Sequence, residues 1–208
     1  VLNRKFGVDL DEAFRRSLDG NPGMTRDHAA ITWMVTDHFR AGEPMDSTAT
    51  TYQHRGHAKY VDIAALFGWE ALHRFWHSVQ LDYERGITYP KNADPPDSRI
   101  LRMSKAAGAD LTPLIHFWGV HPERPDALKA DIAKAGLRPS AAIHDRLQHY
   151  REIIPKDEQA YLAHFRALHP RGRQPNDKFV EGYDEVHGAA GRKALLALLD
   201  RYFPEGRP

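Results

Sequence analysis

Hydrophobic positions recur at helical intervals along most of the chain, and the two-residue alternation of a half-buried strand is almost absent. Leu72, Phe75, Trp76, Val79 and Tyr83 follow an i, i+3, i+4, i+7, i+11 pattern, which sets five large apolar groups on one face and predicts a core helix. A shorter stripe at Leu10, Phe14 and Leu18 carries Asp9 and Glu12 spaced as a capping pair, and another at Ile31, Val35 and Phe39 follows a candidate N-cap at Thr25. Thr112 followed by Pro113 predicts a helix start, because proline at the first helical position gives up a donor that has no intrahelical partner anyway, and Gly119 marks the end. Stripes at Ile143, Leu147 and Tyr150, at Tyr161, Phe165 and Leu168, and at Leu195, Leu198, Leu199 and Tyr202 extend the pattern. The prediction is an all-α fold, a multi-helix globular bundle.

Three proline-rich stretches, residues 90–96 (PKNADPP), 121–125 (HPERP) and 170–175 (PRGRQP), punctuate the helices and read as loops between them. The second is the natural place to divide the chain into a helical subdomain, 1–119, and a C-terminal helical extension, 120–208, packed on it. No internal repeat stands out, which argues against a solenoid.

Composition narrows the function classes. A length of 208 residues, with 41% hydrophobic and 27% charged residues, is that of a globular chain able to bury a sizeable core. No run of apolar residues is long enough to span a bilayer. A formal net charge of +1 removes the usual electrostatic case for nucleic acid, which rests on clustered Lys and Arg displacing counterions. With no cysteine there are neither disulfides nor thiolate zinc sites, and neither redox compartment is disfavoured. Thirteen histidines stand out; protonating all of them would add thirteen positive charges, so mild acid is expected to change solubility and partner choice.

The histidines invite a search for HExxH, in which one helical turn sets two imidazoles on zinc and the glutamate activates water. The motif is absent. His73 and His77 have the i, i+4 spacing but enclose Arg74, Phe75 and Trp76, with no general base, and two imidazoles leave a tetrahedral zinc two ligands short. They read better as boundary residues flanking the apolar stripe. Tyr52, His54 and His57, in TTYQHRGHAKY just ahead of an expected helix, are the candidate substrate-binding residues, since a phenol and two imidazoles can donate hydrogen bonds to a polar substrate. The plain alternative is a solvated junction. The cluster Asp184, Glu185 and His187, and the scattered His144, His149, His164 and His169, read as helix surface. Phosphate-loop and G-x-S-x-G signatures are missing, which sets aside kinase, dinucleotide and α/β-hydrolase readings.

Two segments, LFGWEALHRFW at residues 66–76 and GADLTPLIHFWG at 108–119, together resemble the helical part that follows the zinc motif in the enhancin-like metallopeptidases, the family of viral enhancins and bacterial mucin-degrading proteases. The matching positions are Phe67, Gly68, Trp69 and Glu70, then Asp110, Leu111, Thr112, Pro113, Phe117, Trp118 and Gly119, and the resemblance covers about residues 52–119. On physics alone both are packing motifs. The resemblance implies a secreted or cell-surface zinc metalloendopeptidase acting on glycoproteins, with zinc in the full-length enzyme. The family's HExxH and its downstream glutamate ligand match nothing here, so no catalytic or metal residue is carried over. The order of motifs in the family places a catalytic portion ahead of Val1, which a chain lacking an initiator Met fits, as does ordinary processing. The alternative is a non-catalytic helical protein- or glycan-binding module, expected to expose several of Tyr52, Tyr60, Tyr89 and Tyr183 as one patch.

Overall fold

The computed structural model describes residues 25–46, 48, 52–87, 95–168 and 181–208, apart from the side chains of residues 52–56, 165, 167 and 168. The expected stripe at Leu10, Phe14 and Leu18, the loop at 170–175 and most of the loop at 90–96 lie outside the described residues. The fold is all-α. Among the described residues ten helices follow one another: α1 (Arg26–Met34), α2 (Asp37–Ala41), α3 (Tyr52–Phe67), α4 (Trp69–Glu84), α5 (Pro96–Ala107), α6 (Thr112–Phe117), α7 (Pro125–Lys134), α8 (Ala141–Ile153), α9 (Glu158–Leu168) and α10 (Glu185–Tyr202).

Local chemistry sets the boundaries. Thr25 caps α1 by accepting from the His28 amide at 3.2 Å. The stripe Ile31, Val35 and Phe39 is buried as expected, but it is broken into two helices. Thr36 leaves the helical conformation and its hydroxyl accepts from the Phe39 amide, starting α2 with a second cap. Pro96, Pro113 and Pro125 each sit in the first turn of a helix. Asp97, buried in the first turn of α5, accepts from the backbone N–H groups of Glu123 and Arg124 at 2.8 and 2.9 Å and so fixes the turn that enters α7. The Asp184 carboxylate and the His187 ring close a reciprocal capping box at the start of α10, which gives that acidic–imidazole cluster a structural role.

Packing is arranged around the short helix α6, which touches α5 on one side and α8 and α10 on the other. α3, α4 and α5 pack in sequence, α7 lies on α5, and α1 joins α3 to α8. Phe117, Trp118, Leu147, Tyr150 and Leu195, from both sides of the 121–125 loop, belong to one continuous apolar core.

Two glycines of the family-like segments have backbone reasons for being there. Gly68 joins α3 to α4 at φ 79 and ψ 163, a region that is in practice reserved for glycine. Gly119, at φ 71, closes α6, and a Cβ there would lie 2.3 Å from the Met45 Cβ and 2.4 Å from its backbone nitrogen. That close approach is also a bond, since the Met45 amide donates to the Gly119 carbonyl at 3.0 Å.

Helix α4 departs from the expectation. Leu72 and Phe75 are buried and Val79 is half-buried, but Trp76 is 53% exposed and Tyr83 77% exposed. α4 is gripped by α3 on one flank and α5 on the other, so its buried arc centres on Phe75. At about 100° per residue, Trp76 falls roughly 100° away from that centre. The inward arc instead takes in Ala71, Ser78 and Asp82: Arg102 of α5 pairs with Asp82 at 2.6 Å and donates to the Ser78 carbonyl at 3.2 Å, while Arg74 donates to the Ala106 carbonyl at 2.7 Å.

Candidate functional site

The displaced aromatic groups form the outer face of the α3–α4 hairpin. His73, Trp76, His77, Gln80 and Tyr83 are all exposed on α4. Tyr60 of α3 packs 5.9 Å from the Trp76 ring, and the Lys59 ammonium lies 4.9 Å from the Tyr60 ring centre. Burial pushes the Lys59 pKa down to about 8, helped by the charge of Arg99. The His73 and His77 rings are 6.3 Å apart, and Glu70 lies 3.6 Å from the His73 ring nitrogen. This face mixes flat apolar surface with hydrogen-bonding imidazole and amide groups, the combination that meets amphipathic ligands.

The sequence candidates fall at the start of the hairpin's first helix. α3 begins at Tyr52, so Tyr52, His54 and His57 belong to its first two turns and do not precede it. His57 is exposed, and the side chains of Tyr52 and His54 lie outside the described residues. Of the tyrosines expected to form a patch, Tyr183 is buried and donates to the Pro155 carbonyl at 2.9 Å, Tyr60 is half-buried, and the Tyr52 side chain and Tyr89 lie outside the described residues. Among the described residues the exposed aromatic surface is thus carried by Trp76 and Tyr83.

Two further clusters escape local sequence reading. The first is a buried polar network. Asp62 of α3 has no solvent exposure and accepts from Trp118 Nε1 at 2.8 Å, from Tyr150 Oη at 2.6 Å and from Arg146 Nε at 3.1 Å, with Arg26 Nη1 at 3.8 Å. Arg146 covers the Tyr150 ring at 4.2 Å and pairs with Asp27 at 2.9 Å, and Asp27 also meets His149 Nε2 at 2.8 Å. Burial would raise the Asp27 pKa, but bonds from His149 and the nearby Arg146 outweigh it and hold the carboxyl below its ordinary value. Tyr150 is pushed well above the usual phenol range by burial and by the Asp62 charge.

The second cluster lies across α6. His116 Nδ1 and Tyr202 Oη are 2.7 Å apart, and the His116 and His121 rings are 4.2 Å apart between centres. Burial, with smaller contributions from His121 and Arg201, pushes His116 down to about 3; burial and Arg201 also lower His121. Both imidazoles are therefore neutral at physiological pH. Burial raises the Tyr202 phenol to about 12.

Among the described residues no group of three or more His, Asp or Glu is placed to hold a metal ion, and the exposed His73 and His77 stand as a pair. No helix among them is long and apolar enough to cross a membrane. No family model, no curated protein and no solved structure matches the chain.

Proposed function

We propose that this chain is the helical, substrate-side portion of a secreted zinc metallopeptidase acting on glycoproteins. In this reading zinc and the activated water belong to an N-terminal HExxH portion, and these helices wall the cleft and orient the substrate. The observation that supports a binding role is the exposure of Trp76 and Tyr83 beside His73, His77 and Gln80, on the hairpin that begins the family-like segment. An indole or phenol face covers the C–H face of a sugar ring or an apolar peptide side chain, and the imidazoles and amide supply donors and acceptors to the neighbouring hydroxyls or peptide groups.

The test has two parts. A mucin-type glycoprotein should bind the chain, and the double substitution Trp76→Ala with Tyr83→Ala should abolish that binding while the zinc-loaded chain cleaves nothing. The coding DNA ahead of Val1 should contain an in-frame HExxH followed by a glutamate ligand. Hydrolysis by these residues alone would overturn the assignment of catalysis elsewhere.

The same exposed face also favours a second reading, a non-catalytic helical protein- or glycan-binding module. An unrelated domain or a start codon upstream, with glycoprotein binding retained, would select it.

A further inference from the structure

Between α1, α2, α6 and α10 lies a cavity of about 260 Å³, just below the roughly 300–1,000 Å³ typical of small-molecule pockets, so its occupant is smaller than a drug-sized ligand. Its lining is mainly apolar, with Leu198, Ala194 and Ala197 as the accessible apolar groups, while Phe39 is 6% exposed and Trp33 and Phe117 are 1% exposed each. The three aromatic rings pack edge to face at 5.5 and 5.8 Å. Trp33 offers no free donor, because its Nε1 already donates to the Phe117 carbonyl at 2.6 Å. These walls select a hydrocarbon body.

The polar groups select a charge. Arg201, exposed at the solvent edge of the cavity, lies 5.4 Å from the Tyr202 ring centre and forms no salt bridge among the described residues. Glu43, also on the lining, is engaged by His38 Nδ1 at 3.2 Å. Tyr202 occupies Nδ1 of His116, which leaves Nε2 as the remaining hydrogen-bonding atom of that ring, and the His121 ring packs against it at a tilt of 47°. The site therefore combines a guanidinium that has no carboxylate partner among the described residues with two imidazoles held below their ordinary pKa range. A metal dication suits it badly, because Arg201 repels it and two imidazoles do not complete a coordination shell. A dianion without an apolar part would face Glu43 and leave the apolar lining uncovered.

We propose that this cavity binds a small monocarboxylate with an aromatic or aliphatic body, its carboxylate held by Arg201 and the imidazoles of His116 and His121 and its body against Leu198, Ala194, Ala197 and the accessible edge of Phe39. The guanidinium fork matches a carboxylate geometrically, and hydrogen bonds to an ionised partner are the strong ones. The assignment is independent of the peptidase reading.

Benzoate is the probe, titrated into the full chain at neutral pH while the ring resonances of His116 and His121 are followed by NMR. Both sets should shift saturably, and Arg201→Gln, at an exposed position, should weaken binding by roughly tenfold or more, about 1.4 kcal/mol per decade. Arg207→Gln, which removes a guanidinium paired with Asp145 at 2.8 Å, should leave benzoate binding unchanged. Benzyl alcohol, with the same body and no carboxylate, and inorganic phosphate, with charge and no body, should both bind far more weakly. Unshifted histidine resonances up to the solubility limit of benzoate, equal affinity in Arg201→Gln, or phosphate binding as tightly as benzoate would each overturn the assignment.

Discussion

Trp118 and His116 stand two residues apart at the end of α6, and they enter polar clusters of opposite character. Trp118 donates to Asp62, whose carboxylate has no solvent exposure and also takes Tyr150 and Arg146. His116 reaches Tyr202 and His121 beside a cavity where the Arg201 guanidinium has no carboxylate partner among the described residues. Charge that is buried and matched holds helices together at fixed angles; charge left at the edge of a cavity is available to something from outside. The first cluster is expected to govern stability and the second to govern binding.

The sharpest way to break that comparison is Asp62→Asn. The amide keeps the size of the side chain but removes the buried charge that balances Arg146, and breaking one partner of such a pair costs about 3–5 kcal/mol. Urea denaturation should show that loss, whereas Arg201→Gln should stay within about 0.5 kcal/mol of the parent. Similar small losses for both would erase the distinction.

Acid should reach the second cluster first. His116 has a folded pKa of about 3, against an ordinary value near 6.5. The unfolded chain therefore binds more protons between those values, and stability falls as pH drops through that window. At about 1.4 kcal/mol per unit, going from pH 6.5 to 4 removes on the order of 3 kcal/mol, with His121 and His164 acting in the same direction. Asp27, held below its ordinary value, stays largely ionised over that range. Denaturant midpoints measured across the window should slope steeply in the parent and much less in His116→Asn; parallel slopes would show that the imidazole is not the sensor.

Gly119 tests whether one element holds both clusters. An alanine there must adopt a positive φ and meet the Met45 backbone, which together should cost about 2–3 kcal/mol. The indole signal of Trp118 and the ring signals of His116 should shift together in Gly119→Ala. A shift confined to one of them would mean that α6 does not couple the two sides.

Most of the local architecture was legible in the sequence, and the reasons are local. Thr25 caps a helix because its hydroxyl is three residues from the amide it needs, and Ile143, Leu147 and Tyr150 fall on one face through helical geometry alone. The break between α1 and α2 was missed because Ile31, Val35 and Phe39 keep their spacing across it, although Thr36 followed by Asp37 was a readable second cap. Asp62, Arg146 and Tyr150 were missed for a different reason: their bonds span 84 and 88 residues, and nothing in a window of one helix ties them together. The His116 cavity is likewise assembled from α1, α2, α6 and α10.

A small stability effect is expected at Trp76, where periodicity and structure disagree most. A stripe counted along one helix assumes a single partner on one side, but α4 has two, and its apolar arc turns toward the angle between them. Trp76 at 53% exposure contributes little to the core, so Trp76→Ala should change stability by about 1 kcal/mol or less, well short of the about 3–5 kcal/mol for truncating a buried aromatic such as Phe75. Glycoprotein binding should move the other way, lost or strongly weakened in Trp76→Ala in surface plasmon resonance while the thermal midpoint stays close to the parent's. A core-sized loss of stability would return Trp76 to the role its spacing suggests, and unchanged binding at unchanged stability would remove the α3–α4 face from the functional reading.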